Sequence, residues 1–537
     1  ILNRLYSFNG TSWQLIYNDD WRWETVNASD GSLLISEERF GWIERRVVVL
    51  NTIGTVTAVV QNNAELRYPM HAVKSGNEIW IADLEKGLVK AESNLFERYA
   101  INSPYGRLDG EMLFYKNILY VAGGSINDAW NYQFNGSGFF TFTNNEWKDY
   151  NRFTLPWMDT IFDIISIAVD PRNDVIYAGS FGGGLIEFTS ATQYKIYKQN
   201  SPLNEAIGDP NNYRVGGMAF DKENNLWISN FGGSNNFLVK KADGNWQSFR
   251  VPFLIQDNMV GAVLIDDADQ KWIQVPQGNG VFCYNHGASI DNTGDDRWKW
   301  LQAGRGNGNL PSNAVNCMVK DKDGFIWFGT DKGIAIIQCP GDVFTSNGCE
   351  AFQPVVQQDN FAGFLFENEE VRAIAVDAAN RKWVGTTNGL WLISADGKTE
   401  LLKFTVENSP LPANQITDIE IDDASGEVYI ATTNGIVSYQ GDAIAHCDDC
   451  DGALVYPNPV KPDYSGPIAI KGLAEDAYVK ITDATGTLVF QGKANGSQMV
   501  WDGKGYNGTK AKSGVYLVFS STQQGKDREV AKIVLLN

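Results

Sequence analysis

The sequence predicts an all-β chain, a β-propeller followed by a separate β-sandwich. Three observations carry this reading. A phrase made of an acidic turn and an aromatic strand recurs over most of the 537 residues. The composition is rich in turn and strand formers, with 53 Gly, 17 Trp, 21 Tyr and 28 Phe. Sustained i, i+3, i+4 apolar periodicity, the mark of amphipathic helices, is missing.

The phrase is clearest at 321–337, DKDGFIWFGTDKGIAII. Asp221 stands six residues before Trp227, and Asp266 before Trp272, Asp321 before Trp327 and Asp377 before Trp383 keep that offset. Two relatives use tyrosine at an offset of seven, Asp170 with Tyr177 and Asp422 with Tyr429. Looser copies centre on Trp80 and Tyr120, and DGSLLISEERFGWI around Leu34 is a further candidate. The period, about 40–57 residues, is that of propeller blades rather than helical solenoids.

Each unit parses alike. A strand ends at the acid, a polar turn follows, then come the aromatic strand, an Asn-Gly or Lys-Gly turn and a third strand. A longer variable stretch holds the fourth. Asp and Asn cap tight turns and Gly accepts positive φ, which accounts for the turn spelling. The aromatic is expected to fill the wedge between adjacent sheets, and small residues such as Gly329-Thr330 and Gly385-Thr386 let the next sheet approach. One such sheet cannot bury both faces, so the phrase must recur until a ring closes. These aromatics are assigned to packing and not to a ligand.

The length exceeds one core. Residues 1–104 are expected to be the last blades of a first propeller whose start lies outside the sequence. Residues 105–446 are expected to form a seven-bladed ring, with an eight-bladed ring from near Met70 as the alternative. At 451–460, DGALVYPNPV, the repeat stops, so 447–460 reads as a linker. Residues 461–537 alternate as a small Ig-like sandwich would.

The formal net charge of −20 opposes a general nucleic-acid or anionic-membrane role, and Lys/Arg clustering stops at pairs such as Arg45-Arg46 and Lys240-Lys241. No run approaches the roughly 18 apolar residues of a membrane helix, so no transmembrane segment is expected. The first residues, ILNRLYSFNGTSWQLI, read as a strand and turn and not as a secretory signal. Of six cysteines, Cys283, Cys317, Cys339, Cys349, Cys447 and Cys450, the pair Cys339 and Cys349 flanks a loop able to close as a hairpin disulfide. His446 with Cys447 and Cys450 lacks the second ligand pair of a zinc site, so a local disulfide or free thiols are favoured and no metal is expected.

No catalytic residue or cofactor is assigned. His71, His286 and His446 have no nucleophile in a recognisable setting. Adjacent acids such as Glu369-Glu370 and Asp295-Asp296 would point to opposite faces of a strand. Asp321-Lys322-Asp323-Gly324 starts like a calcium loop but has no Glu at position twelve. Trp298 and Trp300, in DDRWKW, could stack on a sugar; packing within an inter-blade loop is the favoured reading.

The Leu-Pro-x-Asn preface of LPSNAVNCMVKDKDG and LPANQITDIEIDDASG, the acidic turn, Trp-x-Gly-Thr and Gly-Leu/Ile together resemble the two-component regulator propeller repeat. The match is good at Trp327, Trp383 and Tyr429 and partial elsewhere. In the tail, YPNPV, DATGTLV, WDGKGYNG, SGVYLV and KIVLLN resemble, in that order, the C-terminal sorting domain of type IX secretion cargo of Bacteroidota. The positions carrying this likeness are Gly486, Trp501, Asp502, Gly503, Gly514, Val515 and Tyr516. The likeness implies export through the periplasm and across the outer membrane. In most such cargo a sortase removes the domain and attaches an anionic lipopolysaccharide.

Repeats and tail together are similar to a two-propeller surface component of that system which keeps its sorting domain. The resemblance implies a non-enzymatic scaffold on the outer leaflet of the outer membrane. Its implied partners are the sortase, the other attachment-complex proteins and anionic lipopolysaccharide. The chain departs in showing about nine repeats, where two full propellers need about fourteen. The competing reading is a secreted propeller that acts on or binds glycans, exported by its own sorting domain. A sensor ectodomain is the third. Residues 451–537 hold ten Lys/Arg and eight Asp/Glu, a net +2, which leaves about −22 for the rest. Lys504, Lys510 and Lys512 are therefore the expected contact for an anionic lipopolysaccharide.

Overall fold

The turn spelling follows from backbone geometry. In the six-residue copies the residue three places after the acid is left-handed: Asn224 (φ 63°), Asp269 (59°), Gly324 (79°) and Asn380 (58°). In the seven-residue copies it lies four places on, at Asp174 (61°) and Gly426 (78°). Gly, Asn and Asp are the residues that tolerate this conformation. The acid caps the turn. Asp321 Oδ1 accepts the backbone N–H of Asp323 (3.0 Å) and Phe325 (2.9 Å), and Asp266 and Asp377 do the same in their turns.

The offset of six has a further cause. The free oxygen of the cap meets the indole N–H: Trp227 Nε1 donates to Asp221 at 2.8 Å, Trp272 to Asp266 at 2.9 Å and Trp327 to Asp321 at 2.8 Å. All three indoles are at most 1% exposed, where an unpaired N–H would be costly. At the fourth copy Arg381 Nε takes the Asp377 oxygen at 2.7 Å, and the buried Trp383 Nε1 has no partner among the described residues.

The computed structural model describes residues 3–39, 44–62, 64–93, 95–99, 102–106, 109–358, 361–446, 452–521 and 527–536, and these are antiparallel strands joined by turns and a few short 3-10 segments. Two compact units are present, Ile1–Ser103 and Pro104–Asn537. The first holds the hairpin Asn3–Phe8/Trp13–Asp19 and two four-stranded sheets, Arg22–Val60 and Pro69–Tyr99. Leu34, Val47 and Val49 of one sheet pack on Ile79, Ile81 and Val89 of the other. The opposite face of the second sheet, with Val73, Leu88 and Tyr99 38–39% exposed and Trp80 against Tyr99 at 5.3 Å, is open among the described residues of this unit.

In the second unit the repeats form seven successive groups of antiparallel strands among the described residues, called sheets here: sheet 1 (112–150), sheet 2 (164–197), sheet 3 (213–249), sheet 4 (263–301), sheet 5 (315–337), sheet 6 (371–404) and sheet 7 (416–440); sheets 2 and 3 join edge to edge where Phe181 and Gly182 pair with Arg214 and Tyr213, and a hairpin, Val355–Gln358 with Phe361–Phe364, stands between sheets 5 and 6. Each puts its repeat aromatic into the core shared with the next. Tyr120 faces sheet 2, Tyr177 sheet 3, Trp227 sheet 4, Trp272 sheet 5, Trp327 sheet 6 and Trp383 sheet 7. Tyr429 and Ala431 of sheet 7 then pack on Met112, Leu119 and Val121 of sheet 1, and Asp418 Oδ2 accepts Met112 N–H at 2.6 Å. First and last sheets therefore meet, and the all-β propeller expectation describes the architecture.

Lysines brace two of these wedges. Lys382 of sheet 6, its side chain 0% exposed, lies 4.5 Å from the Trp327 ring centre and 2.9 Å from Asp321 of sheet 5. Lys271 of sheet 4 lies 4.4 Å from the Trp227 ring and pairs with Asp269 at 3.0 Å.

Two expectations change in detail. Sheets 5 and 7 have three strands among the described residues, not four. After sheet 5 the chain instead forms a 3-10 turn, Pro340–Asp342, and the expected hairpin disulfide Cys339–Cys349, then rejoins the sheet edge where Phe352 bridges Ile336. Trp298 and Trp300 lie on the fourth strand of sheet 4 and not in an inter-blade loop; they pack on Tyr284 (4.2 Å) and on Phe282 and Phe253.

Behind the ring, two sheets share a core of Ile481, Trp501, Val518 and Ile533. One contains Leu454–Tyr456, a strand inside the stretch read as linker. Cys447 and Cys450 lie outside the described residues. Asp442 holds this sandwich to the ring. It accepts Arg381 Nη2 (2.6 Å) and Asn495 Nδ2 (2.8 Å), and its carbonyl accepts Gln498 Nε2 (3.0 Å). Ser497 N donates to Ile444 O at 2.8 Å beside it. Arg381 serves this junction, which explains why Trp383 lost its acceptor.

Candidate functional site

Most turns between second and third strands of the ring sheets are short, as at Asp331-Lys332 and Thr387-Asn388. In sheet 1 the same connection runs from 123 to 138 and crosses the ring mouth as a strap. Asp163, buried at the start of sheet 2, anchors its base: its carboxylate accepts the N–H groups of Gln133, Phe134 and Asn135 at 2.8–2.9 Å. Farther out, Tyr132 donates to Asp209 (3.2 Å), Trp130 lies parallel to Phe231 of sheet 3 (5.5 Å) and edge-on to Phe181 of sheet 2 (6.0 Å). Gln277 Nε2, beyond sheet 4's second strand, donates to Ala129 O at 2.8 Å, and Arg372 of sheet 6 approaches Asp128 at 3.7 Å. One loop thus touches sheets 2, 3, 4 and 6.

Between strap and sheets 3 and 4 is a cavity of about 240 Å³. Trp130, Phe231 and Met259 give it apolar surface, and Arg214, Asp257 and Gln277 give polar groups. Arg214 pairs with Asp209 at 2.5 Å and sits 5.0–5.7 Å from the rings of Tyr132, Phe181 and Phe231. Its Nε is buried with no partner among the described residues.

Below the strap the inner strands bring together Glu111, Asp418 and Glu420. Enclosure by the ring disfavours their charged forms. Desolvation, with the Asp418 charge second, pushes Glu111 up to about 8; desolvation raises Asp418 to about 6 and carries Glu420 upward too. Glu111 stands at an exposed position immediately before its strand, where its carboxylate accepts Ile167 N–H at 3.3 Å. Cys317, on the inner strand of sheet 5, is pushed up to about 12 by burial, which keeps it an unreactive thiol.

One carboxylate group, Asp221, Glu223 and Asp269, is close enough to hold a cation. Asp221 accepts Asn225 N–H and the Trp227 indole, the Lys271 ammonium lies against Asp269 Oδ2, and Asp269 Oδ1 is buried without a partner among the described residues.

The sandwich places the tail motif residues as follows. Trp501 is fully buried, donates to Lys504 O (2.8 Å) and faces Tyr516 (5.6 Å), whose hydroxyl donates to Lys512 O (2.7 Å). Asp502 caps the turn through Lys504 N–H (2.9 Å), Gly503 (φ 73°) and Gly486 (φ 88°) take left-handed turns, and Gly514 and Val515 open a strand. Lys504, Lys510 and Lys512 are all exposed; Lys504 and Lys510 face each other across a bridge, and Lys504 Nζ lies 3.2 Å from Asp502.

The strap, Trp130 and Arg214 are absent from the sequence reading. The available signal was length, since 123–138 far exceeds the equivalent turns.

Comparison with known proteins agrees with this architecture. The two component regulator propeller family profile matches residues 309–332. No curated protein matches the chain. Among solved structures, the chain superposes on PorZ, an essential surface component of the type-IX secretion system of Porphyromonas gingivalis. The TM-score is 0.78 and the identity 26%, over 99% of this chain and 73% of that one. The extracellular domain of a hybrid two component system from B. thetaiotaomicron gives 0.44 and 14% over 99% and 70%. A streptogramin B lyase gives 0.45 and 14% over 63% and 94%.

Proposed function

We propose that this chain is a non-enzymatic cell-surface scaffold of a type IX secretion system, working with the sortase and anionic lipopolysaccharide when cargo is anchored. The observation that carries it is the likeness to PorZ over 99% of the chain at a TM-score of 0.78. That match takes in the ring, the docked sandwich and the N-terminal sheets together, which a likeness between propellers alone would not. In this reading residues 1–104 are the last blades of a first propeller, and the open face of Trp80 and Tyr99 is where a further blade packs. Residues 105–446 are a seven-bladed propeller, 447–460 the connection and 461–537 the sorting-type sandwich. The scaffold sits on the outer leaflet of the outer membrane.

The clamp at Asp442 supports a tail that stays. A sandwich held by Arg381, Asn495 and Gln498 is part of the scaffold's rigid surface and not a loose export label. The exposed Lys504, Lys510 and Lys512 are the proposed lipopolysaccharide contact, since the remainder of the chain repels anions. The test is the intact mass of the chain recovered from the cell surface. Retention of residues 461–537 supports the scaffold; loss of the tail, with a lipid adduct in its place, overturns it. Reversing the three lysines to glutamate should abolish lipopolysaccharide capture, and undiminished capture refutes their role.

A further inference from the structure

From the cavity beside the strap we infer that the ring carries a binding site for one neutral pyranose unit, held by Trp130, Arg214, Asp257 and Gln277. Four observations lead there. The first is size. A cavity of about 240 Å³ is below the roughly 300–1,000 Å³ of pockets that enclose drug-sized ligands, so it suits a single ring.

The second is the balance of groups. Trp130, Phe231 and Met259 offer an apolar surface for the C–H face of a sugar. The polar side chains supply donors and acceptors together, a guanidinium, a carboxylate and an amide. An anion would meet Asp257 and a cation would meet Arg214. A hydroxyl both donates and accepts, and neighbouring hydroxyls match the paired atoms of these planar groups.

Third, Arg214 is held in place before any ligand arrives. Asp209 takes one Nη and three aromatic rings surround the guanidinium, so the side chain that lines the cavity has a fixed orientation.

Fourth, the lining backbone is strained at several places at once. Trp130 (φ 55°) and Gln277 (φ 56°) are residue types that rarely take left-handed backbone; Asp257 (φ 48°), which tolerates it, stands with them, and all three line the cavity. Strain of this kind gathers where side chains must be aimed at a ligand. The Gln277 to Ala129 hydrogen bond fixes two walls against each other before any ligand arrives.

The site stands apart from the secretion reading and from the tail lysines. A scaffold with no sugar in its ring, or a sugar-binding ring outside that system, are both possible results. The experiment is saturation-transfer NMR on the 537-residue chain with methyl glucopyranoside, mannopyranoside and galactopyranoside and their N-acetylated forms. At least one should bind, with a dissociation constant on the order of 1 mM for so small a ligand. Trp130→Ala should weaken it at least tenfold. Asp257→Ala, on the exposed rim, should do so without disturbing the strap and covers the case in which Trp130→Ala fails to fold. Lys461→Glu, at an exposed position of the sandwich, should change nothing. Silence of every neutral pyranoside overturns the inference, and so does binding that survives both cavity substitutions. Binding restricted to glucuronate or glucose 6-phosphate and lost with Lys504→Glu overturns it too, because it places the contact on the tail.

Discussion

Replacing Asp321 by alanine should destabilise the ring more than most single changes. Asp321 is 3% exposed and its carboxylate does three things: it caps the turn through Asp323 and Phe325 N–H, accepts the Trp327 indole and neutralises Lys382 of the next sheet. Removing it strands a buried ammonium whose charged form burial already disfavours. Breaking a buried ion pair from one side costs about 3–5 kcal/mol. Lys382 keeps the carbonyls of Asn380 (2.8 Å) and Ala395 (2.9 Å), which pulls the charge cost toward the lower end; the lost cap and indole bond act in the other direction. Strands 112–440 make a ring of about 330 residues, with an unfolding entropy near 0.7 kcal/mol per kelvin, so the melting temperature should fall by about 4–7 °C. Tryptophan fluorescence during a thermal ramp reads this. Asp321→Asn, which keeps an acceptor, should lose less. Lys382→Met should also lose less, because Asp321 retains its N–H donors. Asp321→Asn with Lys382→Met should cost less than the sum. A shift under about 1 °C for Asp321→Ala would show that the cap and latch do not couple neighbouring sheets.

Three further outcomes are expected. Serine at Cys339 and Cys349 should cost about 2–3 kcal/mol from the loop of separation ten, and reductant should lower the wild-type melting temperature equally. Glu111 has a folded pKa above its unfolded value, so the folded state binds the extra proton and ring stability falls as pH rises from about 4.5 to about 8; Glu111→Gln should flatten that decline in a pH series of melting temperatures. Asp442→Ala should leave the ring's melting temperature nearly unchanged but speed trypsin or proteinase K cleavage between ring and sandwich, seen by mass spectrometry.

What could be read from the sequence was chemistry between near neighbours. The left-handed turn position, the capping acid and the Asp-to-Trp offset all lie within seven residues, so their spelling survives in each copy. Even there, the indole bond gave the offset its meaning only when both atoms were placed. The strap's contacts were invisible for the opposite reason: Ala129 meets Gln277 and Asp128 meets Arg372 only because the ring brings distant sheets around one mouth. The inner-strand acids Glu111 and Asp418 carry no assignment from the sequence, since nothing local to either marks a strand as innermost. In the tail, the lysines are legible as a cluster, while the ion pair of Lys504 with Asp502 shows only once both side chains are placed.

The most direct measurement of the proposed role is a deletion of this chain in the bacterium that produces it, with quantitative proteomics of shaved cell surfaces. Loss of other sorting-domain cargo from the surface, restored by re-expression of the chain, is the predicted result. A surface proteome unchanged apart from this chain would contradict it.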